Sequence, residues 1–154
     1  MPLKDPGKLH VLVVDDFSSF RSTMMSMLNK LGVKNIEEAG KAFDVLKWCK
    51  DRKFDLILCD YNLGPGKSGQ HLLEELRFRK LITHHTLFVM VTAEASKEMV
   101  LSAYDCEPDD YLMKPLNLQV LEQRVTRLIQ TRDALVNVYR LLDADDLEKA
   151  TADL

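Results

Sequence analysis

The sequence predicts an α/β domain: a five-stranded parallel sheet covered by helices on both faces, with a long helix at its C-terminal end. Three observations carry that expectation. Short, nearly continuous apolar runs alternate with stretches whose apolar residues recur at helical spacing. Acidic residues stand directly after two of those runs. Leucines then repeat every seven residues near the end of the chain.

The runs at 9–14 (LHVLVV), 54–59 (FDLILC) and 86–91 (TLFVMV) are short and rich in residues that suit buried parallel strands. Weaker strands are expected at 33–39 and 110–113, placed by spacing as much as by composition. Between them, Phe20, Met24, Met27, Leu28 and Leu31 mark one apolar helix face. Ala42, Val45, Leu46 and Cys49 mark a second, and Leu72, Leu73 and Leu76 a third. A fourth helix at about 96–104 buries Met99, Val100 and Ala103, and a fifth starts near Asn117, after Pro115. Strict alternation of strand and helix with short connections requires right-handed crossovers, hence a parallel sheet with ligands beyond the strand C-termini.

The fifth helix is too long for the domain alone. Leu121, Leu128, Leu135 and Leu142 form a heptad row, with Val125, Arg132 and Tyr139 between them. Residues 8–132 are therefore read as the domain and 133–154 as a helical extension. Its distal turns are either solvated or docked on a second copy or a following domain. The acidic end, DADDLEKATADL, carries no helix-stop signal, as expected of the front portion of a longer protein.

Composition narrows the functional classes. The 154 residues suit one domain. With 21 Lys and Arg against 24 Asp and Glu, the formal charge is −3, and no basic run exceeds two residues. Direct nucleic-acid binding is not expected. The apolar runs fall far below the roughly 18 residues of a membrane span, and the N-terminal MPLKDPGK lacks a secretion signal's apolar stretch. Three scattered cysteines, Cys49, Cys59 and Cys106, suit the reducing cytoplasm.

Asp15 and Asp16 follow the first strand and Asp60 follows the third, so a parallel sheet brings three carboxylates to one edge. Such a cluster persists only if a cation or bound protons offset its charge. Mg²⁺ suits it, because that ion takes hard oxygen ligands and keeps several waters. The plain alternative is that acids end strands and cap helices, as Asp16 could for the first helix. Thr92 and Lys114, which close the fourth and fifth strands, add a hydroxyl and an ammonium at the same edge. That set is what phosphoryl transfer to a carboxylate needs.

These residues resemble the receiver domains of bacterial two-component response regulators, similar to the chemotaxis response regulator. The resemblance covers about residues 8–132 and rests on Asp15-Asp16, Asp60, Thr92-Ala93, Tyr111 and Lys114-Pro115. It implies a flavodoxin-like doubly wound sheet of order 2-1-3-4-5. It also implies that Asp60 accepts a phosphoryl group from a sensor histidine kinase or a phosphotransfer protein. By the same resemblance, Mg²⁺ is held by Asp16, Asp60 and the backbone carbonyl of Asn62, with Asp15 acting through water. Lys114 pairs with phosphoryl oxygens, Thr92 moves to hydrogen-bond one of them, and Tyr111 rotates into the space Thr92 leaves. The switch then lies on the face made by the fourth helix, fifth strand and fifth helix, and a cis peptide precedes Pro115.

One departure is the loop Y-N-L-G-P-G-K-S-G after Asp60, where an extra residue falls at 64–66. It bears on the kinase contact surface rather than on the chemistry. Asn62 and Glu94 border the hydrolytic water's path in the family, and their polarity implies a short-lived phosphoaspartate. Asp109 and Asp110 with Arg124 and Arg127 match charged positions of dimerising receivers, whereas Val100 and Val120 break a further pair. A homodimer through that face and a monomer that binds a downstream protein or tethered output domain both stay open.

Rival chemistries fit less well. Gly66-Lys67-Ser68 mimics the end of a P-loop, but Tyr61 stands where its first glycine belongs. A haloacid-type phosphatase needs an acid where Asn62 stands. His84 and His85 read as a solvated loop, and His10 and His71 have no sequence partner. The remaining alternative is a degenerate receiver that serves as a passive interaction scaffold, against which the intact Asp, Thr and Lys set weighs.

Overall fold

A strand that is apolar on both faces needs cover on both, and that demand organises the whole chain. A computed structural model describes residues 3–93 and 106–152, apart from the side chains at 139 and 143–152. The strands are β1 (His10–Val14), β2 (Asn35–Ala39), β3 (Leu56–Asp60), β4 (Leu87–Thr92) and β5 (Asp110–Met113). They form one five-stranded sheet, all parallel, in the order β2-β1-β3-β4-β5. Helices α1 (Ser18–Lys30), α2 (Ala42–Asp51), α3 (Gly69–Phe78) and the C-terminal helix (Leu118–Ala152) cover it. The expected fourth helix, at about 96–104, lies outside the described residues.

The period of two along each strand sorts side chains into two cores. On one face Val11, Val13, Leu56, Leu58, Val89 and Val91 meet Met24 and Leu28 of α1 and Leu121, Val125 and Ile129 of the C-terminal helix. On the other, Leu12, Val14, Ile57, Cys59, Phe88 and Met90 meet Val45 and Cys49 of α2 and Leu72, Leu73 and Leu76 of α3. No helix among the described residues is long and apolar enough to cross a membrane.

Some boundaries differ from the expected ones, for local reasons. β2 begins at Asn35 rather than at Val33, because Gly32 takes a positive φ of 94° and turns the chain first. β3 keeps pairing through Asp60, which bonds in register with Val91 of β4, so this aspartate is the strand's last residue rather than its successor.

The leucine row loses its cover along the C-terminal helix. Leu121 is fully buried, Leu128 half-buried, and Leu135 and Leu142 are 47% and 49% exposed. The last two lie beyond Arg132, past the sheet, and the drift of about 20° per heptad is too small to account for the change alone. Val138 and Leu141 extend the exposed apolar stripe.

Where the helix leaves the sheet, a charged cluster holds it. Arg132 is buried and donates to Asp55 Oδ1 at 3.0 Å and to the His85 carbonyl at 2.8 Å. His85 Nε2 lies 2.9 Å from the same carboxylate oxygen, and the backbone N–H of His10 donates to Oδ2 at 2.9 Å. His85 is thus a paired histidine, not the solvated loop residue expected. Its partners lie 30 and 47 positions away in sequence, beyond the reach of any local pattern.

Burial and the nearby charge of Arg132 hold the His85 pKa below its ordinary value against the pull of Asp55, with Lys53 adding to the depression. The unfolded chain therefore takes up this proton more readily than the folded one. Stability should fall as pH drops through the ordinary histidine value of about 6.5 toward the lower folded value. Melting temperatures of the native chain and His85→Gln, measured from roughly pH 8 to 5, should show a flatter slope for the variant.

Candidate functional site

Strand register assembles the site. Val14 pairs with Cys59, so Asp15 and Asp60 each stand one step further along neighbouring strands. Asp60 pairs with Val91 and Thr92 with Met113, which sets Thr92 and Lys114 at the same edge. Lys114 is tied there by its backbone N–H, which donates to the Thr92 carbonyl at 2.7 Å, and the Lys114-Pro115 peptide is cis.

Asp15, Asp16 and Asp60 offer carboxylate oxygens that all lie within 4.8 Å of one another. Asp15 is fully buried, Asp60 is 6% exposed, and Asp16 is open to solvent. Lys114 Nζ sits 3.1 Å from Asp15 Oδ2 and 3.4 Å from Asp60 Oδ1. Both oxygens of Asp15 are engaged, since Oδ1 accepts the Phe17 N–H at 2.9 Å. Asp16 does not cap α1. The N-cap position is Phe17, without a side-chain cap bond.

Three carboxylates against one ammonium leave a local charge of −3 + 1 = −2 when all are ionised. Burial and the charge of Asp15 push the Asp60 pKa above its ordinary value, while Lys114 and a backbone hydrogen bond from Asn62 pull the other way. An all-oxygen set with two excess negative charges fits a hard divalent cation such as Mg²⁺.

The loop after β3 folds on itself. Asn62 and Ser68 form an antiparallel bridge, Leu63 N–H donates to the Lys67 carbonyl, and Lys67 N–H to that of Gly64. Gly64 and Gly66 take positive φ values of 109° and 72°, which other residues adopt only under strain. Ser68 then caps α3, its hydroxyl accepting the His71 N–H at 3.2 Å.

The other expected residues fall as follows. Thr92 is buried at the end of β4. The Tyr111 hydroxyl is already shut off from solvent, with no hydrogen-bond partner among the described residues, and burial raises its pKa. Glu94 lies outside the described residues. Asp110 receives a two-oxygen contact from Arg124 of its own chain, at 3.0 Å to each. Asp109 accepts the Phe88 N–H at 2.7 Å, and Arg127 is exposed.

Two residues escaped sequence reasoning. Arg21 donates to the Asp15 carbonyl and pairs with Glu38 at 2.9 Å, pinning the main chain of the acidic pair to β2. Nothing in the sequence separates it from any polar residue of an amphipathic helix. Gly69 donates to the Tyr61 carbonyl at 2.7 Å, and its backbone lies against the end of β3.

Fold and edge together define a class, and comparison with known proteins agrees. The model of the response regulator receiver domain matches residues 11–126, and the chain belongs to that family. The chain is 30% identical over 122 residues to the chemotaxis protein CheY-3 of Vibrio cholerae serotype O1, covering 79% of this chain and 92% of that one. It is 31% identical to the chemotaxis protein CheY of Pseudomonas aeruginosa, over 79% of this chain and 97% of that one. A crystal structure of a CheY-like receiver domain protein from Methanospirillum hungatei superposes with a TM-score of 0.72 at 27% identity, over 82% and 97% of the two chains.

A β-carbon on Gly69 would come within 2.6 Å of Met90 Sδ and 2.7 Å of the Asp60 carbonyl oxygen. Gly69→Ala should lower stability by about 1–3 kcal/mol, as overpacking does. Denaturant unfolding would read this, with Gly66→Ala, whose added carbon meets nothing within 4 Å, separating crowding from the strain of a positive φ.

Proposed function

We propose that Asp60 accepts a phosphoryl group from a sensor histidine kinase or a phosphotransfer protein. The observation that carries this reading is a nearly buried Asp60 carboxylate that shares the Lys114 ammonium with Asp15, beside a solvent-open Asp16. Attack by an Asp60 oxygen on phosphorus forms a mixed anhydride. The bond from phosphorus to the donor's imidazole nitrogen breaks, and that nitrogen keeps the electron pair.

Lys114 pairs with the phosphoryl oxygens, and its existing contact with Asp60 means that it needs little reorganisation. Asp16, Asp60 and the Asn62 carbonyl would hold Mg²⁺, with Asp15 acting through water because its own oxygens are engaged. Mg²⁺ there supplies charge neutralisation for the transferred group. Thr92 and Tyr111 serve as the switch, and β5 with the C-terminal helix as the responding face, which a downstream protein or tethered output domain reads. Asn62 and Glu94 set a short phosphoryl lifetime, and the chain acts as a self-phosphorylating, self-dephosphorylating signalling module of the cytoplasm.

The charged positions considered for a homodimer carry less weight. Arg124 already satisfies Asp110 within one chain, so an exchange between copies would first have to break that pair. Solution mass with and without beryllofluoride decides it.

Acetyl phosphate with Mg²⁺ should add one phosphoryl group to the native chain, read by intact mass, and none to Asp60→Asn. Chelation of the metal should abolish the reaction. No labelling of the native chain would instead support the passive-scaffold reading, and equal labelling of both chains would put the acceptor at a residue other than Asp60.

The boundary between domain and extension is proposed at 132/133, since Arg132 is buried and Asp133, Ala134 and Leu135 are exposed. A chain ending at Leu135 should keep its phosphorylation rate, whereas one ending at Thr131 loses the Arg132 anchor and should melt several degrees lower.

A further inference from the structure

Phe20 is the third residue of α1 and continues the apolar row of Met24 and Leu28, yet it joins neither core. Its half-buried ring meets the site instead: Lys114 Nζ stands 3.7 Å from the ring centroid. That is direct contact between an ammonium and an aromatic face. Among the described residues the other cation and ring pairs, Lys47 with Phe43 and Arg52 with Trp48, are 5.8 and 5.2 Å apart. A cation lies favourably within about 6 Å of a ring face, and the attraction grows as water is removed. The Lys114 side chain is only 12% exposed.

Among the described residues the ammonium lies against Asp15 Oδ2, Asp60 Oδ1 and the ring. The two carboxylates alone would let a flexible four-carbon chain move along the edge between them. The ring adds a wall that accepts positive charge and cannot itself coordinate a metal or take a phosphoryl group.

We propose that Phe20 is a positioning residue for the phosphoacceptor site, holding the Lys114 ammonium at Asp60 by ring-face contact. The proposal rests on the reading of Asp60 as the acceptor. Phe20→Leu keeps an apolar side chain and removes the π face, so phosphorylation by acetyl phosphate at saturating Mg²⁺ should slow about 3- to 10-fold. Phe20→Tyr keeps the face and should restore the rate. Because Phe20 acts only through Lys114, Phe20→Leu should bring no further loss in a Lys114→Gln background. A loss of equal size in both backgrounds, or none in either, overturns the proposal.

The ring current gives a readout independent of reaction. The ε-methylene protons of Lys114 should resonate upfield of the other lysines in the native chain, lose that shift in Phe20→Leu and regain it in Phe20→Tyr. Ordinary Lys114 shifts in the native chain overturn the proposal even if Phe20→Leu fails to fold. If the native chain takes no phosphoryl group on Asp60, the acceptor reading fails, and the Lys114 shift alone decides whether Phe20 holds the ammonium.

Discussion

An excess of negative charge at one end of a buried sheet is the constraint on which the rest depends. Two of the three carboxylates are almost removed from water, where like charges disfavour each other's ionisation, and the upward displacement of Asp60's pKa records that cost. One ammonium offsets part of it. The surrounding structure divides the remaining work: Phe17 N–H stabilises Asp15, and Arg21 ties the carbonyl of Asp15 to Glu38 on the neighbouring strand. The residual charge suits the edge to a divalent cation.

Core packing and site chemistry come from the same alternation. Val14 and Cys59 turn into the α2 and α3 side of the sheet, and the residues that follow them are the aspartates of the site. A one-residue slip of register would bury the wrong side chains and also separate Asp15 from Asp60. The apolar core therefore specifies the carboxylate geometry without touching it.

That coupling explains what was legible. β1, β3 and β4 are local apolar runs and β5 follows from spacing, so Asp15, Asp16, Asp60, Thr92 and Lys114, at or just past the strand ends, could be placed from sequence, and the sheet register brings them together. What stayed hidden depends on pairs of residues far apart in the chain. Phe20 reads as a core residue of α1 until Lys114, 94 positions on, is seen under its ring. His85 reads as loop until Asp55 and Arg132 close around it. The heptad leucines read as one face, and only the end of the sheet near Arg132 shows that Leu121 and Leu142 have different surroundings.

The C-terminal helix joins the two ends of the sheet. It starts at the site edge, where the Asn117 side chain accepts the N–H groups of Gln119 and Val120, three residues after Lys114. Arg132 is the last buried residue among those described, rooted on Asp55 and His85 at the N-terminal ends of β3 and β4. At about 1.5 Å per residue, residues 118–132 span roughly the length of a strand. Rooting at the far end is what would make a displacement near Lys114 a tilt or rotation of a rigid rod rather than a local adjustment. Apolar packing of Leu121, Val125 and Ile129 resists sliding, and the buried guanidinium resists withdrawal. Beyond that root the apolar side chains of Leu135, Val138, Leu141 and Leu142 are left exposed.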